Sequence, residues 1–249
     1  MEIRMEISIV SFDIDGCLTV NKGVALPLQT LDRLQKARAT VPFVLSTGRS
    51  QPYAELMIQI LGPKASVYPS VVENGCFLYD SQEEIMFPHP LVTKRIIGDF
   101  HEIRRVLEEC FPKSPVQQGK ELCISLTPHK KIRVEDLFQS VQKELEIYKE
   151  KVFISHSNSA VDITPWGIDK GAGLLFLCEH IGISPGNVLA IGDSNNDMQV
   201  LSLAGYVGCP SNSKDEVIDL VRKKGGYVAK TAHTGGVIEI GRASCRERV

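Results

Sequence analysis

Two acids one residue apart, Asp13 and Asp15, close the apolar run Ile7-Ser8-Ile9-Val10-Ser11-Phe12 and are followed at once by Gly16. Alternate residues of a strand share a face. At a strand's end, with a glycine turning the chain, one carboxylate can point out of the tip while the other swings round beside it. Paired acids in that position suit a divalent cation, which takes oxygen ligands, and carboxylate attack on an electrophile. A D-x-D alone is usually no more than a strand running into a polar loop. This chain repeats the pattern of apolar run and polar tip. Val41–Leu45 ends in Ser46-Thr47-Gly48-Arg49, Ser70–Val72 in Glu73-Asn74-Gly75, and Val188–Ile191 in Gly192-Asp193-Ser194-Asn195-Asn196-Asp197. Tyr206–Gly208 ends in Cys209-Pro210-Ser211-Asn212, and Asp169-Lys170-Gly171 opens a helical segment.

The elements that must position these residues follow from periodicity. Helical spacing is read at about 27–40, 52–61, 169–181 and 198–204, alternating with the short buried strands. That alternation predicts an α/β fold, a doubly wound parallel sheet with right-handed crossovers. In such sheets ligands sit beyond the carboxyl ends of the strands, so the polar tips should converge on one pocket. Between them the pattern changes. Short hairpin strands (76–79, 84–87), a helix (90–110), a strand (121–127), a second helix (134–148) and another hairpin (152–156, 160–164) form an α+β module. The expected organisation is a core of residues 1–82 plus 165–239 with an inserted α+β cap at 83–164.

The chemistry these tips suit is phosphoryl transfer. Mg2+ is held by one or two carboxylates with water and substrate phosphate completing its shell; Asp13, Asp193 and the chain at Asp15 are candidate ligands. Asp13 is the candidate nucleophile, forming an aspartyl phosphate, and Asp15 the acid and base. The cation and Lys170 would offset repulsion between an attacking carboxylate and an anionic phosphate. The Thr47 hydroxyl and the Gly48 amide, near a helix start, could hold a phosphoryl oxygen. Asn74 is a candidate substrate contact, with a turn into the next strand as the plainer role. Arg49 reads as a brace for its loop, and the histidines as surface or cap residues. Lys120, Glu121 and His129 are the cap side chains considered for substrate.

Asp13-Ile14-Asp15-Gly16, Ser46-Thr47-Gly48-Arg49, Asp169-Lys170-Gly171 and Gly192-Asp193 through Asn196-Asp197 resemble, in identity and order, the four motifs of the haloacid dehalogenase-like phosphatases. The insert between the second and third is similar to the type C2 cap of their Cof-like branch, which includes phosphoglycolate and sugar-phosphate phosphatases and phosphomannomutases. The resemblance runs to about residue 238. It implies Asp13 as nucleophile, Asp15 as acid/base, Thr47 and Lys170 on phosphate, and Asp193 on Mg2+. It further implies Asp197 as support or ligand of the metal, completing a metal set of Asp13, Asp15, Asp193 and Asp197, with Asn196 and Asn212 near the phosphate. Cys17 departs from the motif, standing where threonine is common. The implied activity is a Mg2+-dependent phosphatase of a small phosphorylated metabolite. The alternatives weighed are a phosphomutase and, from another class, a non-catalytic phospho-acceptor module.

Composition sets outer bounds. Of 249 residues, 43% are hydrophobic and 23% charged, with net charge −2, so no basic surface for nucleic acid or an anionic membrane is expected. No apolar stretch reaches the roughly 20 residues of a membrane span. Seven scattered cysteines without a C-x-x-C pair suit a reducing cytosol rather than a disulfide framework. Residues 240–249 resemble the translation of an adapter oligonucleotide. They are expected to be a non-native tail that interrupts a final helix begun at Gly235-Gly236-Val237.

Overall fold

The structure, a computed structural model, describes residues 7–20, 28–37, 41–62, 67–157 and 159–246. The first half of the core alternates β1 (Ile9–Phe12), α1 (Leu28–Ala37), β2 (Phe43–Leu45), α2 (Gln51–Leu61) and β3 (Ser70–Val72). A hairpin, β4 (Phe77–Asp80) and β5 (Ile85–Pro88), leads into the insert: α3 (Lys94–Cys110), β6 (Ile124–Leu126), α4 (Val134–Glu144), β7 (Val152–His156) and β8 (Val161–Pro165). The core resumes with α5 (Lys170–Ile181), β9 (Val188–Ile191), α6 (Met198–Leu203), β10 (Tyr206–Cys209), α7 (Asp215–Lys223), β11 (Tyr227–Val228) and α8 (His233–Arg246). Among the described residues no helix is long and apolar enough to cross a membrane.

Five strands form a parallel sheet in the order β11-β10-β9-β1-β2. Alternation sends successive side chains to opposite faces. Leu189 and Ile191 join Phe12, Phe43 and Leu45 against α1, α2 and α8, whereas Val188 and Ala190 join Ile9, Val44 and Val207 against α5, α6 and α7. Burial on both faces is why these strands read as continuous apolar runs. The expected doubly wound architecture is therefore present.

The described part of the first helix, Leu28–Ala37, lies inside the 27–40 expected for it; residues 27 and 38–40 are outside the described set. β3 differs from expectation. It touches the parallel sheet through a single bridge, Ser46 to Val71, and pairs along its length with β4 in a separate antiparallel sheet, β3-β4-β5. Glu73 and Asn74 have φ of 49° and 53° and Gly75 has 97°, so the chain reverses at once. Met86 and Phe87 of β5 pack on the two core clusters. The insert boundary expected at residue 83 lies in the turn between β4 and β5.

The insert has its own core, in which Phe100, Ile103 and Leu107 of α3 and Leu137 and Val141 of α4 cover the sheet β6-β8-β7. The final helix is not interrupted at Gly241. α8 continues to Arg246, and Ile240 is fully buried against Gly208 of β10.

Candidate active site

Four chain segments meet at the carboxyl ends of β1 and β9. Lys170 is the N-terminal residue of α5, and the Asp169 side chain caps that helix by accepting from the Ala172 N–H at 2.8 Å. The glycines around it let the helix press in. A Cβ on Gly173 would lie 2.6 Å from Val71 Cγ1, and one on Gly75 would lie 2.1 Å from the Asp169 carbonyl oxygen. Lys170 Nζ donates to Asp13 Oδ1 at 2.9 Å and to Asp197 Oδ1 at 2.7 Å, and only 1% of its side chain is exposed. Asp193 completes the group: oxygens of Asp13, Asp193 and Asp197 lie within 4.8 Å of one another, all buried. Gly16 is held at φ 92°, and a Cβ there would fall 2.2 Å from the Asp193 carboxylate, so glycine is required twice over.

Burial, with the charges of Asp197 and Asp15 adding to it, raises Asp13 to about 7 and Asp193, which Asp13 also pushes up, to about 8, although Lys170 acts in the opposite direction on both. Burial opposes the Lys170 charge, but Asp13 and Asp197 outweigh it and raise its pKa. With all groups ionised, three carboxylates against one ammonium leave two negative charges in excess, the charge of one divalent cation. An all-oxygen donor set of this kind fits Mg2+. Asp13 and Asp193 are best placed to hold it. Both Asp197 oxygens are already engaged, Oδ1 by Lys170 and Oδ2 by the Asp193 and Ser194 N–H groups at 3.0 and 3.1 Å.

Asp15 stands apart from that cluster. Arg49 grips it from two nitrogens, Nε to Oδ2 at 2.7 Å and Nη2 to Oδ1 at 2.6 Å, while stacking over the Tyr53 ring. This bond to Asp15 is the main cause of a raised Arg49 pKa.

A cleft with about 250 Å³ of water-accessible space opens above the cluster, between core and insert. Asp13, Asp15, Gly48, Asp193, Asn196 and Asn212 line it. Thr47, Asn74, Lys170 and Asp197 are outside that lining, one layer behind it. Thr47 Oγ1 accepts the Arg49 N–H at 3.1 Å, and the Asn74 amide lies against Gly48, where a Cβ would meet its oxygen at 2.8 Å. Asn196 Oδ1 accepts from Ser194 Oγ at 2.6 Å. Asn212 is structural in its contacts: Nδ2 donates to the Gly16 carbonyl at 3.0 Å, and Oδ1 accepts the His233 N–H at 2.6 Å.

His233, read with the other histidines as a surface or cap residue, lines the cleft with its Nδ1 2.9 Å from the Gly16 carbonyl oxygen, and the lining residues Gln117, Ser157, Ser159 and Asp162 of the insert were not singled out. No motif or spacing marks them. Of the three cap side chains considered, Lys120 lines the cleft, and Glu121 and His129 do not.

The sequence model of the haloacid dehalogenase-like hydrolases matches residues 10–111 and 113–240. The chain belongs to that family. Among its relatives in the wider phosphatase class, a phosphoglycolate phosphatase of Methanobrevibacter smithii is 29% identical over 238 residues, covering 94% of this chain and 97% of its own. Another phosphoglycolate phosphatase, from Methanopyrus kandleri, is 29% identical over 214 residues, covering 84% and 87%. Two solved structures share the fold. A haloacid dehalogenase-like hydrolase from Bacteroides thetaiotaomicron superposes with TM-score 0.73 at 18% identity, covering 95% of this chain and 99% of that one. The sucrose-phosphatase of Synechocystis, solved with sucrose and phosphate, superposes with TM-score 0.70 at 20% identity, covering 98% of each chain. The expected family membership is met, and with it the expected class of enzyme, a hydrolase of phosphoric monoesters.

Proposed function

We propose that this protein is a Mg2+-dependent phosphatase that hydrolyses a small phosphorylated metabolite through an aspartyl phosphate on Asp13. The observation that carries this reading is the bridge from Lys170 to Asp13 and Asp197, with Asp193 beside it, at the floor of the cleft. Lys170, donating to Asp13 Oδ1, orients the carboxylate for attack on phosphorus. Asp13 and Asp193 would hold Mg2+, which when bound supplies charge stabilisation for the phosphoryl group. Asp197 fixes Lys170 and the Asp193 loop rather than reaching the cation. Gly48 and Asn196 face the phosphate from the cleft wall, and Thr47 and Lys170 support it from behind. Asp15 is the acid that protonates the leaving alkoxide and then takes a proton from water. Because Arg49 holds both of its oxygens, proton transfer requires that pair to open as substrate enters. The described cysteines are free thiols, Cys110 exposed and the other five buried, which suits a cytosolic enzyme.

The test is phosphate release from a panel of phosphorylated metabolites with Mg2+ or with EDTA, using Asp13→Asn as the control. Activity should vanish with EDTA and fall at least about 10³-fold in the variant. Release that survives either change would refute the mechanism.

A further inference from the structure

Phosphate held at Asp13 sends the rest of the ester toward the roof of the cleft, which the insert supplies. Two charged side chains meet there. Lys120 Nζ lies 3.8 Å from Asp162 Oδ1, and their side chains are only 4% and 6% exposed. Ser125 braces them from below, its hydroxyl accepting from Lys120 and donating to Asp162 Oδ1. Asp162 Oδ2 accepts no hydrogen bond among the described residues. The pair is also fixed from the core. Glu73 accepts the N–H groups of Glu121, Leu122 and Cys123 at 2.8, 2.9 and 3.0 Å, which pins the chain that carries Lys120.

An ammonium only donates and an ionised carboxylate only accepts. Side by side they complement a hydroxyl, which does both, or two neighbouring hydroxyls. A leaving group bearing its own carboxylate could reach Lys120 only by coming close to Asp162, and like charges in a largely desolvated site repel. We propose that Lys120 and Asp162 form the leaving-group subsite of this enzyme, and that they select a phosphorylated polyol or sugar over a phosphorylated carboxylic acid. This inference rests on the phosphatase reading above and narrows it, departing from the substrate for which the Methanobrevibacter and Methanopyrus relatives are named.

The experiment compares kcat/KM for hexose 6-phosphates, glycerol phosphate, phosphoglycolate and p-nitrophenyl phosphate. The proteins are wild type, Lys120→Met, Asp162→Asn and the double variant, which leaves no lone buried charge. Wild type should favour its best hydroxylated substrate over phosphoglycolate by about tenfold or more. The variants should lose roughly 10–100-fold on that substrate, and about tenfold less on p-nitrophenyl phosphate, which offers the pair no hydroxyl. Asp162→Asn should narrow the gap to phosphoglycolate. A folding defect would lower all substrates together, so the ratio between substrates separates recognition from stability.

Wild type that prefers phosphoglycolate while turning over p-nitrophenyl phosphate overturns the subsite alone, as do variants whose losses are equal on every substrate. Absence of phosphate release from every ester, p-nitrophenyl phosphate included, overturns the phosphatase reading and the subsite with it.

Discussion

Lys170 is the side chain on which the charge of the site turns. Removing it strands buried carboxylates without their ammonium, a change that costs about 3–5 kcal/mol when one partner of a buried pair is lost. Lys170→Met should therefore unfold at markedly lower temperature at pH 7.5, and Mg2+ should restore part of the loss in a thermal melt. The wild-type protein stripped of metal has a related pH dependence. Burial raises Asp13 to about 7 and Asp193 to about 8 in the fold, above the ordinary aspartate value of 3.8, so the native state holds protons that the unfolded chain has released. Their contribution to stability is present below about pH 4 and is lost as pH rises through 8. In EDTA the Tm should fall across that window, while the Tm increment on adding Mg2+ should grow. An increment that shrinks as pH rises would contradict the assignment of these two acids. At this scale the sequence made Asp13, Asp193 and Lys170 legible, because a carboxylate or ammonium at a strand or helix tip in an apolar neighbourhood has few bland uses. It did not reveal that Arg49 clasps Asp15, or that Asn212 spends both ends of its amide on the Gly16 turn and α8, since side-chain direction depends on neighbours distant in the chain.

At the scale of elements, the short turn at 73–75 joins two machines. Its amides donate to the loop after β2, Glu73 N–H to the Arg49 carbonyl and Asn74 N–H to the Thr47 carbonyl, each at 3.0 Å, while the Glu73 carboxylate reaches into the insert. Glu73→Gln presents an N–H₂ to at least one backbone N–H that needs an acceptor, at a cost of about 1–3 kcal/mol for each buried donor left unpaired. Hydrogen exchange at the amides of residues 121–123 should quicken in this variant while the amides of β9 stay protected. Unchanged protection at 121–123 would mean that the latch does not hold the loop. Gly173→Ala should cost roughly 1–3 kcal/mol through overpacking, and should lower activity further by lifting Lys170 away from Asp13, as unfolding and rate measurements on one sample would show. The sequence located β9 to the residue and α5 to within one, because apolar periodicity and the capping aspartate act locally. β3 was misjudged as a strand of the parallel sheet because a left-handed turn at Glu73 and Asn74, neither of them glycine, is imposed by the contacts around it. α7 passed unread, with only Val217 and Val221 buried along nine residues.

The whole molecule is a core crossed twice by the chain that enters and leaves the insert. Gly167, at φ 81°, and the exposed Trp166 lie at the return crossing. The last helix ties this assembly together. Thr234 Oγ1 donates to the Leu18 carbonyl at 2.7 Å beside the contact of His233 with Gly16, and Ile240 fills the space above Gly208. Ile240→Ala should cost about 2–5 kcal/mol, lowering Tm by several degrees. A Tm unchanged by that substitution would support residues from 240 onward being a dispensable tail. The overall plan was legible because strand-helix alternation and an antiparallel interlude are written in periodicity. A hairpin such as β4-β5 has the same pattern whichever body it packs on, so periodicity alone does not assign it.

One consequence concerns how the enzyme is made. Asp13 and the lysine that neutralises it are 157 positions apart, with the entire insert between them. On the ribosome, where domains fold as they emerge from the N-terminal side, the strand that carries Asp13 is synthesised early and waits for most of the polypeptide before its counter-charge arrives. Nascent chains halted before residue 170 should carry an unassembled pocket incapable of turnover, so premature termination yields inert fragments rather than unregulated catalysts.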